Sequence, residues 1–128
     1  MPGFSDLDGL RRAVETFPDV VQQRLQAAAK TSADRVAVRA AEILRSKVDG
    51  TRTANSIRVV DESADKQYVV TCPGDPELPA NLPLWLERGT VHMSARAFMR
   101  PAADEETPNY QRAMQAAAER AAADAFGA

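Results

Sequence analysis

The chain has 128 residues, with 16 Lys and Arg against 18 Asp and Glu, a formal net charge of −2 and one cysteine. That balance excludes a global basic field for holding nucleic acid, and the lone Cys72 excludes an intramolecular disulfide or a Cys-rich zinc site. No apolar run approaches the ~20 residues needed to span a bilayer. The N-terminus, with Pro2, Gly3 and early acids but no basic segment followed by an apolar one, is not expected to be a signal peptide. The length predicts a single domain over residues 1–128. With aromatics at 5% and Ala abundant, its core is expected to be thin, with some stability supplied by neighbouring subunits.

In chain order, Ser5 is placed as an N-cap, with Asp8 as a short capping-box partner. Leu7, Leu10 and Val14 recur at helical spacing and predict a first helix over about residues 6–16. Pro18 either breaks it or opens the next helix at its first turn. A longer second helix is predicted over 18–47. There Val21, Leu25, Ala28, Ser32, Val36, Ala40, Ile43 and Leu44 trace one face at intervals of three or four. Asp49 and Gly50 stop it, and residues 51–55 read as a polar loop. Residues 56–60 and 67–72 alternate as strands, with Ile57 and Val59 sharing one face of the first, and Tyr68, Val70 and Cys72 one face of the second. The polar turn between them, with Asp61, Glu62 and Asp65, makes an antiparallel hairpin the economical reading.

Residues 73–83 hold four prolines and a glycine, predicting an exposed loop that serves as a connector or as a partner contact. Residues 84–88 fit a helical turn or a strand. Pro101 suits the first turn of a helix, but Thr107 is a good N-cap and Pro108 a good first helical residue. The expectation is a short turn over 100–104 and a main helix over 108–126, with Tyr110, Met114, Ala117, Ala121 and Ala125 on one face. The predicted fold class is α+β: two N-terminal helices, one of them long, a small antiparallel sheet built on the hairpin, and a C-terminal helix.

Residues with catalytic chemistry are sparse. His92 and Cys72 could form a nucleophile pair, but there is no second His. Cys72 also lies in a predicted strand rather than at a helix N-terminus that would lower its pKa. It reads as a small buried hydrophobe. Asp104, Glu105 and Glu106 point different ways on a helix, which suits the helix dipole better than a hard-cation site. No catalytic residue, cofactor or metal is expected. Trp85 and Phe98 are either the main core anchors or intersubunit anchors beside Arg88, Arg96 and Arg100. Gly89 fits a tight turn.

Residues 84–102 carry the densest pattern: an apolar knot of Leu84, Trp85 and Leu86, then Glu87, Gly89 and Thr90, then Met93, Ala95, Arg96, Phe98, Met99, Arg100, Pro101 and Ala102. This resembles the Glu-aromatic-Gly-Thr … Met-Pro-Ala-Arg-Pro-Phe-(Met/Leu)-Arg-Pro-Ala signature of the gene-product-ten-like tail-component family of long-tailed bacteriophages. Arg88 stands where the aromatic is usual, and Ser94 and Ala97 replace two prolines. The resemblance has motif-level force over residues 86–102. It extends more weakly to Thr53, Ala54, Asn55, Ser56 and Ile57, which match a lead into an Asn-Ser-Ile strand.

The resemblance implies a structural protein of the virion neck, made in the host cytoplasm. It implies a six- or twelve-fold homo-oligomeric ring between a head-completion or connector protein and a tail terminator or tail-tube protein, with DNA passing non-specifically through its lumen. The region after residue 84 would complete the small sheet. Interface residues would be Trp85, Glu87, Arg88, Gly89, Thr90, Met93, Arg96, Phe98 and Arg100. The basic residues of the second helix form either a solvated face or, at Arg35, Arg39 and Arg45, a lumen lining whose charge the ring multiplies. Without its prolines, the 90–97 linker is expected to be mobile in the free subunit and ordered in the ring. The alternatives are a tail terminator capping the tube and a small cytosolic protein-binding regulator. No enzymatic activity or membrane partner is expected.

Overall fold

The computed structural model describes residues 7–47, 51–62 and 67–126. Expectations for Ser5, Asp49, Gly50 and Asp65 lie outside the described residues. The elements in order are α1 (Leu7–Lys47), α2 (Thr51–Asn55), β1 (Arg58–Glu62), β2 (Gln67–Thr71), α3 (Leu82–Arg88) and α4 (Met99–Phe126). The α+β class is as expected, but several boundaries differ.

The two predicted N-terminal helices are one, because α1 runs through Pro18. A proline inside a helix leaves the carbonyl four residues back without its donor and costs about 3 kcal/mol. Packing on both sides of Pro18 offsets that cost. Phe17 meets Phe126 with ring centroids 5.0 Å apart, and Arg24 pairs with Asp124 at the same end. The pairs Arg35–Glu106 and Arg39–Glu105 continue the match, so α4 runs antiparallel to α1. Between the helices, Ala33, Ala40, Ala41, Ala102 and Ala121 are buried, and side chains this small let two helices approach closely.

The predicted start of the last helix at Pro108 is also wrong, since α4 begins nine residues earlier, at Met99. Thr107 does not cap it. Its hydroxyl donates back to the Ala103 carbonyl at 2.9 Å, as a Ser or Thr inside a helix does.

β1 and β2 pair antiparallel, with Arg58 opposite Thr71 and Glu62 opposite Gln67. A lone two-stranded hairpin is marginal in water, and this one packs on α1. Residues 51–55, expected as loop, form α2, with Thr53 and Ala54 buried. The stretch after residue 82 is a helix and adds no strand, so the sheet has two strands among the described residues. Ile43, Leu44, Ala54, Leu86, Phe98 and Ala102 form the centre of the core.

Trp85 is not a core anchor, because it is 38% exposed whereas Phe98 is 1% exposed. Trp85→Ala should therefore cost about 1 kcal/mol, well short of the ~3–5 kcal/mol of a buried aromatic. A thermal melt measures this, and a loss in the buried range would return Trp85 to the core.

Candidate functional site

The motif stretch folds into a corner between α3 and α4. Pro83 opens the first turn of α3, a position where its missing N–H costs nothing. The helix ends at Gly89, whose N–H donates to the Trp85 carbonyl at 2.7 Å. Gly89 sits at φ 80° and ψ 175°, a region essentially restricted to glycine. The chain then doubles back. Thr90 and Met93 form an isolated antiparallel bridge, with Thr90 N–H to Met93 O at 2.8 Å and the return bond at 3.3 Å. The Thr90 hydroxyl accepts the His92 N–H at 3.2 Å. Arg96 N–H reaches the Leu86 carbonyl at 2.6 Å, and Lys47 Nζ donates to Ala97 O at 2.9 Å. In the linker expected to be mobile, Thr90 is thus bonded to Met93 and His92 within the linker, and Arg96 and Ala97 are bonded outside it, to Leu86 and Lys47.

Glu87 closes the corner. Its Oε2 accepts the Phe98 N–H at 2.8 Å, and its Oε1 accepts Met99 and Arg100 N–H at 3.0 and 2.9 Å. These are donors that the first turn of a helix leaves without intrahelical partners, and a carboxylate there also complements the helix dipole. The cap comes from a residue in the preceding helix rather than from the position just before α4. Glu87→Ala should cost about 2–3 kcal/mol, since a charge-assisted cap is lost and part-buried N–H groups are stranded. Glu87→Gln should cost roughly 1 kcal/mol, because one acceptor oxygen remains. Urea melts give the cost, and faster amide exchange at Phe98, Met99 and Arg100 locates it.

The nine residues expected at an interface divide in two. Glu87, Gly89, Met93 and Phe98 turn toward the chain's own interior and build the corner. Trp85, Arg88, Thr90, Arg96 and Arg100 remain exposed, and Leu84 and Val91 are exposed with them. Glu87, Gly89 and Phe98 thus have intramolecular roles that the interface expectation did not include.

The basic residues of α1 are exposed but mostly engaged. Arg39 hydrogen-bonds Glu105 at 2.7 Å and Glu42 at 3.3 Å. The bond to Glu105 raises the Arg39 pKa further and holds the Glu105 carboxyl below the usual carboxylate range. Arg35 approaches Glu106 at 3.8 Å. Arg45 and Lys47 bond to neutral acceptors, the Asn55 side chain and the Ala97 carbonyl. Their charges are the less compensated ones.

Cys72 is half-buried just beyond β2, its Sγ 3.5 Å from both Ser56 Oγ and the Thr53 carbonyl. Burial pushes the thiol pKa up, against the lowering effect of the Ser56 contact. Cys72→Ser should keep both hydrogen bonds and change stability by under about 1 kcal/mol, which a melt checks. His92 is exposed in the Thr90–Met93 turn. Among the described residues no group of three or more His, Cys, Asp or Glu is placed to hold a metal ion.

Between α1 and α4, beside β2, lies an open groove of about 1220 Å³. Val21, Leu25, Val36, Tyr68, Tyr110 and Met114 give it an apolar lining. Glu106 also lines it, 7% exposed, with its Oε2 buried and lacking a hydrogen-bond partner among the described residues. Periodicity did not reveal this groove, because each wall alone reads as an ordinary amphipathic helix face. Compared with protein-family models, curated proteins and solved structures, the chain matches none of them.

Proposed function

We propose that this chain is a structural subunit of a phage neck, assembling as a ring that joins the head connector to the tail and leaves a channel for DNA. The observation that supports the reading is the Glu87 corner. The residues shared with the tail-component signature form one physical unit, in which Glu87 holds the start of α4 and Gly89 makes the turn. The unit carries Trp85, Arg88, Arg96 and Arg100 on its outside, and aromatic and Arg side chains are enriched at interface hot spots.

In this reading DNA passes without sequence recognition. Arg45 and Lys47 are better suited to face it than Arg39, whose charge is already met by two carboxylates. The test is to delete the coding sequence from the genome that carries it and image the particles. Heads and tails should accumulate unjoined, and the purified subunit should restore joining as a ring at the junction. Normally joined particles without the protein would overturn the reading. Joined particles whose tails vary in length would favour a tail terminator.

A further inference from the structure

The two long helices differ in reach. The last described turn of α4 lies beside Phe17, so residues 7–16 of α1 extend past it by about 15 Å at 1.5 Å per residue. This arm carries Leu7, Leu10 and Val14 at helical spacing on one side, exposed at 82%, 41% and 56%. None of the three belongs to the core or packs against it. The groove between α1 and α4 is the complementary feature. At about 1220 Å³ it exceeds the ~300–1,000 Å³ of ordinary small-molecule sites, and its open apolar trough suits an amphipathic helix.

We infer that the N-terminal arm of α1 from one copy of this chain lies in the α1–α4 groove of a second copy, with Leu7, Leu10 and Val14 against its apolar walls. The arm cannot fill its own groove, because it is continuous with the helix that forms one wall. Charge also matches. Glu106 lines the groove, its Oε1 met by Asn109 Nδ2 at 3.2 Å and by Arg35 at 3.8 Å, and its buried Oε2 without a partner among the described residues. Arg11, four residues after Leu7 and three before Val14, lies at the margin of the arm's apolar stripe. Its present partners, Asp8 at 3.4 Å and Glu15 at 3.9 Å, are exposed pairs of little worth. A cation arriving with the arm would complement the Glu106 carboxylate in the groove wall. An arm and a groove are different surfaces, so the contact can repeat from copy to copy and close a ring. The contact rests on the neck reading only for what that ring serves.

Two variants test it. The arm variant carries Leu7→Glu, Leu10→Glu and Val14→Glu, and the groove variant carries Tyr110→Arg and Met114→Arg. Sedimentation at the highest soluble concentration should show wild type associating. Each variant alone should associate roughly a hundredfold more weakly or less, with the circular dichroism of wild type. Mixed, the two should form a one-to-one heterodimer and nothing larger, since one working arm meets one working groove. If the groove variant does not fold, Leu10→Cys and Met114→Cys chains, each also Cys72→Ser, replace it and should form a disulfide when mixed and oxidised. Monomeric wild type, an arm variant that associates like wild type, or no cross-link would overturn the inference. Association that ignores the arm leaves the neck reading standing. Arm-dependent association in a protein dispensable for head–tail joining leaves the inference standing and removes the neck reading.

Discussion

Phe98→Ala should destabilise the protein by about 3–5 kcal/mol, the range for removing a buried aromatic and leaving a cavity. Phe98 is among the largest fully buried side chains described, and it sits with Leu44, Leu86 and Ala102 where α1, α3 and α4 meet. The Phe98 backbone N–H is also held by Glu87, so relaxation that closes the cavity would loosen the cap. That coupling limits collapse and places the cost high in the range. Chemical denaturation measures it. A cost below that of Trp85→Ala would mean that the two aromatics have exchanged roles.

Gly89→Ala should cost about 2–4 kcal/mol, from an essentially glycine-only backbone conformation and a steric clash. A Cβ at residue 89 would stand 2.8 Å from both Met93 O and Ala95 N, and both are backbone atoms of the returning linker. Neither can rotate away as a flexible side chain would. Relief requires the linker to shift, which breaks the Thr90–Met93 bridge and moves Phe98 away from Glu87. The melting temperature should fall by roughly 10 °C for a chain of this size, with the largest rise in amide exchange at residues 90–100. An unchanged melt would mean that the corner tolerates another turn.

Legibility in the sequence followed locality. The face of α1 from Val21 to Leu44 and the hairpin were legible because each repeats at a fixed period. The breaks assigned to Pro18 and Pro108 were not real, because packing across to the partner helix outweighed a local penalty. Trp85 looked like an anchor by size alone, while its side of α3 faces outward. The start of α4 was hidden because its cap lies eleven residues before Phe98. Phe98 offers no capping side chain at the usual place, and that lack was the available signal that a cap had to come from elsewhere. The groove needed both helices and β2 in place before it existed.

The Glu87 cap also bears on the order in which the chain acquires structure. Bringing α1 and α4 together joins segments up to a hundred or more residues apart, as Arg24 and Asp124 are, and such long closures form late because their entropy must be lost first. The corner joins residues only 11 to 13 apart, and a loop of about ten residues closes in roughly 10–100 ns. The α3–α4 corner can therefore form while the rest of the chain is still open, giving α4 a fixed origin from which to grow toward α1. Glu87→Ala would then mainly slow refolding, and a stopped-flow measurement in which it only accelerated unfolding would place the cap late instead.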